Sequence, residues 1–198
     1  MIRAVTLGAV VLAAAPAAAQ AQQWQYRCPA QGTVVERSEG GSLAYRGQDA
    51  NDPLVCVTAN GQRRFLGYWP ANELPYQTGR AQLARLVSAA AAGQAGQSET
   101  FHYFAPGRDS NTVHVFETWR VGGIGRVSTM AGGFDAVRID RNFQIAGVTY
   151  SFDQSVWIDR ASGAPVKAEV RHLNMVMAPS LFSWEALDLR ARPQLSAR

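Results

Sequence analysis

Histidines are the residues of this chain that are best suited to bind a metal ion. There are three, and two of them, His102 and His114, lie on strand-like segments that flank a turn-rich stretch at 106–110. A hairpin centred on Arg108 predicts that the two rings lie opposite each other, about 5 Å apart, and His172 could supply a third ligand. A one-residue change of pairing would turn the two rings to opposite faces. The alternative is that the histidines are simply solvated on a half-polar face of the sheet.

A carboxylate on the same hairpin is the second candidate. The predicted pairing places Glu99 opposite Glu117, and Glu117 shares its strand face with apolar residues that include Val115 and Trp119. Such a carboxylate either lies at the rim of the sheet beside an arginine, or lies in a pocket with a raised pKa and contacts a ligand. The rim is favoured, because burial of an unpaired acid is costly.

Aromatic side chains are the third candidate, since they could line a groove for a glycan or a lipid-like ligand. They could equally form the core, which is the usual place for aromatic residues in a small β protein. Strand alternation places Trp157 on the outward face, so Trp157 joins Glu117 and Trp119 as a predicted ligand contact. The full set is Trp24, Tyr26, Tyr68, Trp69, Tyr76, Trp119, Trp157 and Trp184.

Motifs for catalysis are missing from the sequence. It contains no G-x-S-x-G, no H-E-x-x-H, no phosphate-binding loop and no dinucleotide fingerprint. The glycine-rich stretch 122–125 leads into a strand, which favours a hairpin turn there. No catalytic residue and no cofactor is therefore assigned, and a hydrolase is the third choice of function because it needs a nucleophile–base pair.

The N-terminus predicts export. Arg3 precedes an apolar run from Ala4 to Ala15, and small residues follow, which together are typical of a signal peptide over 1–21 with cleavage after Ala19 or Ala21. A periplasmic or secreted location follows. The apolar run is shorter than the ~20 residues of a membrane span, and no later stretch resembles one.

Export makes the two cysteines a predicted disulfide. Cys28 and Cys56 are the only pair, and oxidising compartments favour the bond. Two free thiols are the alternative. The 19 basic and 15 acidic residues give a net charge of +4. They are scattered, which argues against a nucleic-acid partner, while the oligomeric state is left open.

The secondary-structure elements that position these residues are predicted from turn residues and from the spacing of apolar residues. A small disulfide-linked β unit is expected over 22–69, where Asn60-Gly61 predicts a hairpin. A linker over 70–99 contains a helix at about 80–92, with Thr78 as the N-cap and Gly93 as the stop. An antiparallel meander over 100–198 follows. The strands of the β unit are predicted at 25–28, 33–37, 42–46, 54–58 and 63–69.

The meander shows the clearest alternation at 148–158 and 166–170. Apolar residues fall on one face of these segments and polar residues on the other, which is the pattern of an antiparallel sheet with one packed face. Gly122-Gly123 is expected to turn the chain between strands at 112–121 and 124–130. The last strand is expected at 181–189, with a helix as the alternative. The predicted fold is mainly β: a curved antiparallel meander, half-barrel or sandwich-like, with one covering helix.

Three segments carry a resemblance to a group of known proteins. They are Trp119-Arg120-Val121, Gly133-Phe134-Asp135-Ala136-Val137-Arg138-Ile139 and Val156-Trp157-Ile158-Asp159-Arg160-Ala161-Ser162-Gly163-Ala164-Pro165-Val166-Lys167. Together they resemble the C-terminal β-meanders of exported proteins of unknown function from Gram-negative bacteria. The resemblance covers Trp119 to Arg171, implies a curved sheet and a periplasmic setting, and assigns no catalytic residues.

The sequence therefore predicts an exported, non-enzymatic β protein. Its curved sheet is expected to bind a small apolar, glycan or other envelope-derived ligand, or an envelope protein. A structural or interaction role in the envelope is the alternative, and a hydrolase or metal-binding protein is the third possibility.

Overall fold

One antiparallel sheet dominates the structure, a computed structural model that describes residues 24–107, 111–147, 150–174 and 181–190. The sheet has eleven strands in the order β5-β4-β3-β2-β1-β11-β10-β9-β8-β7-β6, and one helix packs on it. The predicted mainly β class with a curved meander and one covering helix is confirmed. The signal peptide and its cleavage sites lie outside the described residues. Within the described ranges, no helix is long and apolar enough to cross a bilayer.

The elements follow the chain in this order. The strands and the helix are β1 (Val34–Arg37), β2 (Ser42–Gln48), β3 (Val55–Thr58), β4 (Arg63–Phe65), β5 (Trp69–Pro70), α1 (Leu74–Ala91), β6 (Ser98–Pro106), β7 (Thr112–Thr129), β8 (Gly132–Ile145), β9 (Ser151–Asp159), β10 (Pro165–Asn174) and β11 (Trp184–Arg190).

The β3–β4 hairpin is formed as Asn60-Gly61 predicts. Gly61 has φ +80°, which glycine adopts without strain. The strand predicted at 63–69 is interrupted, because Leu66 and Gly67 both have positive φ and reverse the chain between β4 and β5. The strand predicted at 25–28 is not formed, and this segment has no regular secondary structure.

Gly122-Gly123 is not the turn that the sequence predicts. Strand β7 runs through it as one 18-residue strand, and the pairing with β8 shifts register between Val121 and Gly123. Gly123 has φ +108°, so the two glycines form a β-bulge, which inserts an extra residue without reversing the chain. The next turn, at Met130–Ala131, is where β7 meets β8.

Helix α1 begins at Leu74, several residues before the predicted start. The reason is Pro75, which by its residue type alone predicts a break. Proline is tolerated in the first helical turn, where its missing N–H has no intrahelical partner. The predicted end is confirmed, since Gly93 follows the helix with φ +71°. The buried stripe of α1 includes Leu83, Leu86, Val87 and Ala90, as the helical spacing predicts.

The sheet folds back on itself, so that its first strands cover its last ones. Strand β1 pairs with β11, which joins the N-terminal strands to the meander in one sheet. Trp69 of β5 contacts Trp119 of β7, with ring centroids 4.8 Å apart, although eight strands lie between these two in the sheet order. The concave side therefore contains the core, and α1 closes one end through contacts such as Tyr76 with Phe65.

The predicted disulfide joins Cys28 to Cys56 of β3. It fastens the irregular segment before β1 to the sheet. The same segment passes directly over the β9–β10 turn, where Gly163 has φ +72° and a Cβ would collide with the carbonyl oxygen of Arg27. Only glycine fits this close approach. The disulfide and the contact at Gly163 therefore both fix the position of the segment that contains Arg27 and Cys28.

Asp52 connects the β2–β3 turn to helix α1, and its replacement by alanine is expected to destabilise the fold. The Tyr76 hydroxyl donates to Asp52 Oδ2 at 2.7 Å, and Arg80 Nε donates at 2.8 Å. Because Asp52→Ala leaves the buried Tyr76 hydroxyl without an acceptor, we expect the free energy of unfolding to fall by about 1–3 kcal/mol. Urea unfolding measures this at neutral pH.

The pH dependence of Asp52 supplies the control. Burial acts to raise the pKa of Asp52, but the hydrogen bonds from Arg80 and Tyr76 outweigh it and lower the pKa. Stabilisation by the carboxylate is thus complete above the unfolded value of about 3.9 and is lost as the pH falls through the lower folded pKa. The difference in the free energy of unfolding between the wild type and Asp52→Ala should therefore become smaller in acid. Asp49→Ala removes an ion pair to the exposed Arg63 and should cost less than about 1 kcal/mol; equal losses at Asp49 and Asp52 would contradict the assignment.

Candidate functional site

A buried carboxylate lies on the inward face of strand β7. Glu117 of β7 is fully buried, and each of its two oxygens accepts two hydrogen bonds. Tyr103 and Trp119 each donate to it at 2.7 Å. Arg141 of β8 donates through Nε at 2.9 Å and through Nη2 at 2.7 Å. These four bonds use all the acceptor positions that a carboxylate offers.

Arg141 is the only charged partner of Glu117 among the described residues. Its guanidinium carbon lies 5.3 Å from the ring centre of Trp119, 5.5 Å from that of Phe143 and 5.4 Å from that of Phe152. Such contacts stabilise a cation that has lost its water. Burial and the Glu117 charge raise the pKa of Tyr103, so this phenol keeps the proton that it donates.

The pairing of β6 with β7 differs from the predicted register by two residues. His102 pairs with Phe116, and Glu99 pairs with Trp119 instead of Glu117. A shift of two residues keeps every side chain on its predicted face. Glu117 thus points inward with Trp119, as the pattern indicates, and has an arginine partner. It does not lie at the rim, because the sheet folds over it.

The histidine pair forms in spite of the shifted register. His114 Nε2 and His102 Nδ1 lie 3.0 Å apart on the outer face of β6 and β7. His172 is elsewhere: it pairs with Phe152 on β9, which faces the concave side, and its Nε2 lies 3.2 Å from the carbonyl oxygen of Leu181. The predicted group of three histidines is not assembled, and within the described ranges no three His, Cys, Asp or Glu side chains come together in a way that could hold a metal ion.

The other predicted ligand contacts lie in different places. Trp119 is 1% exposed and belongs to the layer beneath the concave surface. Trp157 faces outward as predicted, but the ammonium group of Lys167 covers its ring at 5.3 Å. Trp24 and Tyr26 pack against each other near the disulfide. Among the aromatic residues singled out from the sequence, Tyr68, Trp69 and Trp184 line the main groove.

This groove has a volume of about 980 Å³ and opens on the concave side. Its walls come from both halves of the folded sheet and from the start of α1. Its lining is rich in aromatic and arginine side chains. Those that bear on ligand binding are Arg37, Arg64, Tyr68, Trp69, Arg141, Phe143, Tyr150, Phe152, Gln154, Phe182 and Trp184.

The floor of the groove is an aromatic surface. Phe143 and Phe152 lie on paired positions of β8 and β9 and stack at 4.9 Å with an angle of 9° between rings. Tyr150 packs beside both of them, and Phe182 contributes an exposed ring. Beneath this floor, the Glu117 carboxylate holds Arg141 in place. The floor is therefore apolar, with one fixed guanidinium in it.

A network of hydrogen-bonded side chains, separate from that of Glu117, forms one end of the groove. Trp69 Nε1 donates to Gln154 Oε1 at 2.7 Å, Gln154 Nε2 donates to the Tyr68 hydroxyl at 3.3 Å, and Trp184 Nε1 donates to the same hydroxyl at 3.4 Å. Gln154 is 1% exposed. An indole can only donate, so the contact with Trp69 fixes which side of the Gln154 amide is oxygen.

Several residues of this site are not among those predicted from the sequence. A signal existed for Arg141 and Gln154, because strand alternation places Arg141 with Ile139 and Phe143, and Gln154 with Phe152 and Val156. A polar residue at an inward position of an apolar face indicates a buried contact. Tyr68 was one of the aromatic candidates, but no local signal placed it beside Gln154, since it lies in a turn that meets β9 only when the sheet folds over.

Comparison with known proteins identifies no relative. No family model, no curated protein and no solved structure matches the chain. The resemblance to exported Gram-negative proteins therefore stays a prediction, and a function has to be inferred from the geometry of the groove.

Proposed function

We propose that this protein is an exported binding protein that holds an apolar, envelope-derived molecule in its groove without changing it chemically. The supporting observation is the aromatic floor, in which Phe143 and Tyr150 are half-buried, Phe182 is exposed, and the buried ring of Phe152 stacks against Phe143. A volume of about 980 Å³ lies in the range of small-molecule pockets. Apolar side chains that stay accessible in a concave site gain free energy when a ligand covers them.

The hydrogen bonds of the buried Glu117 favour a binding site over a reaction centre. Glu117 uses its acceptor capacity on Tyr103, Trp119 and Arg141, so it cannot accept a hydrogen bond from a ligand without breaking an existing contact. It acts as a positioning residue for Arg141. A periplasmic or secreted location is part of the proposal, and the disulfide fits an oxidising compartment.

Phe182→Ala tests the groove against a matched surface phenylalanine. The probe is N-phenyl-1-naphthylamine, a neutral apolar dye that fluoresces when water is excluded from it. Phe182 is 58% exposed inside the groove, and Phe104 is 63% exposed on the outer face. Loss of one aromatic contact, worth about 1–1.4 kcal/mol, should weaken dye binding by about fivefold to tenfold in Phe182→Ala.

Phe104→Ala is the control and should bind the dye as the wild type does. Both variants remove an exposed ring, so differences in folding should be small and can be checked by thermal unfolding. An equal loss of binding in the two variants would move the apolar site away from the groove. Failure of the wild type to bind the dye would overturn the proposed function itself.

A further inference from the structure

The polar end of the groove offers hydrogen-bond donors without matching acceptors. The Tyr68 oxygen accepts from Gln154 and from Trp184, and these two bonds use its acceptor positions. Its own proton goes to no acceptor among the described residues. Because the Gln154 amide is oriented by Trp69, this arrangement cannot be reversed by an amide flip. The Tyr68 hydroxyl is therefore held as a donor for a group outside the protein.

Tyr68 keeps this proton under physiological conditions. Burial raises the pKa of Tyr68, and the hydrogen bond from Trp184 opposes this only in part. The phenol therefore stays neutral and protonated. An oriented neutral donor suits an acceptor such as a carboxylate or phosphate oxygen.

Arg64 lies beside Tyr68 and carries a charge that no described carboxylate neutralises by a direct contact. Its Nη1 donates to the backbone oxygen of Tyr68 at 2.7 Å, and its Nη2 donates to the side-chain oxygen of Gln62 at 2.6 Å. Its buried Nε has no partner among the described residues. Both acceptors are neutral, and burial lowers the pKa of the Arg64 guanidinium, as expected for a poorly solvated cation.

Two further arginines surround this end of the groove. Arg37 lies over the Trp184 ring at 5.5 Å and pairs with Glu39 at 2.9 Å. The guanidinium of Arg141 is bound to Glu117 through Nε and Nη2, and Nη1 donates to no described residue. The acidic residues of the lining are Glu39, which is paired, and Glu73, which is exposed at the start of α1. Glu73 acts on Arg64 through space but does not contact it, so among the described residues Arg64 is the arginine of the inner wall without a direct carboxylate partner.

We propose that the groove binds an amphiphile with an anionic head group, its acid oxygens at Tyr68 and Arg64 and its hydrocarbon on the Phe143–Phe152 floor. This inference rests on the proposed function and specifies its ligand class. A head group with acceptors only would take the free proton of Tyr68 and neutralise Arg64. A neutral alcohol head group would not neutralise Arg64, because it carries no charge.

The experiment compares ligands of one chain length by calorimetry and by displacement of N-phenyl-1-naphthylamine. Dodecanoate, dodecyl phosphate and dodecanol carry an acid, a phosphate and a neutral head group, and acetate and inorganic phosphate supply the head group alone. At about pH 8, where a carboxylic acid is ionised, the two charged amphiphiles should bind about tenfold more tightly than dodecanol. The free anions should bind far more weakly than either.

Variants locate the preference at the two residues. Tyr68→Phe and Arg64→Gln should each reduce the preference for dodecanoate over dodecanol by about fivefold or more, with dodecanol binding unchanged. Tyr45→Phe is the matched hydroxyl control, because the Tyr45 hydroxyl already donates to the Gly67 oxygen. Arg63→Gln is the matched charge control, because Arg63 pairs with Asp49 on the surface.

Each outcome decides between the two proposals. Equal affinity for dodecanoate and dodecanol, with the dye still bound, overturns the head-group inference and leaves the apolar groove intact. Equal loss in Tyr45→Phe and Tyr68→Phe overturns it as well. Tight binding of inorganic phosphate or acetate alone shows an anion site without a hydrocarbon site and overturns the amphiphile assignment. Failure of the wild type to bind the dye overturns the proposed function.

Discussion

Replacement of Glu117 by alanine is expected to lower the free energy of unfolding by about 3–5 kcal/mol. The substitution leaves the guanidinium of Arg141 without its only described counter-charge, in a place where the side chain is 11% exposed. It also removes the acceptor from the Tyr103 hydroxyl and from the Trp119 indole N–H. Urea unfolding followed by circular dichroism measures the loss.

Two further variants separate the charge from the packing. Glu99→Ala removes the ion pair between Glu99 and the exposed Arg85, and we expect a loss below about 1 kcal/mol. The double replacement Glu117→Leu with Arg141→Met removes both charges and should recover a large part of the loss, since buried pairs can be replaced by apolar residues of similar volume. A Glu117→Ala variant no less stable than Glu99→Ala would show that the pair is not buried as described.

Removal of the disulfide is expected to have the second large effect. The bond between Cys28 and Cys56 spans 28 positions of the sequence. In the chain-entropy model, a loop of this length stabilises the folded state by about 3.5 kcal/mol, because the unfolded chain is restricted. The double variant Cys28→Ala, Cys56→Ala should show this difference by urea unfolding.

Reduced wild-type protein is the natural control for that variant. Both cysteines are buried, so alanine removes little more than the cross-link and the sulfur volume. Thiol reduction and the double alanine variant should therefore give similar losses. A difference below about 1 kcal/mol between oxidised and reduced protein would show that the unfolded chain is already compact in this region.

Much of the fold could be predicted from local sequence patterns, because these patterns reflect the conformational preferences of neighbouring residues. Alternation in β9 and β10 indicated one packed face, and Asn60-Gly61 indicated its hairpin because both residues tolerate positive φ. The predicted helix start at about 80 and the predicted turn at Gly122-Gly123 were wrong for the same reason. Pro75 and Gly122-Gly123 are residue types typical of breaks, but a proline fits the first turn of a helix and a glycine pair fits a bulge. Whether such a residue breaks an element or is built into it depends on whether the helix or strand continues on its far side.

The site was predictable only in fragments. The alternation of side chains along a strand placed Glu117, Arg141 and Gln154 on inward faces. A search for polar residues on apolar strand faces would therefore have found all three. The hairpin register was not predictable, since its turn sets it and a shift of two residues preserves every face. That shift still left His102 and His114 in contact.

By itself, the sequence determined the class of the sheet, the covering helix, the cysteine pair and the inward face of Glu117, because each depends on neighbours within a few residues or on composition. Only the tertiary structure decided that the sheet folds over, that Trp69 meets Gln154 across 85 positions of chain, and that Arg64 and Tyr68 face the same groove as Phe152. The physical reason is that curvature is summed over many strands. No single segment encodes the contact between the first strands of the sheet and the last.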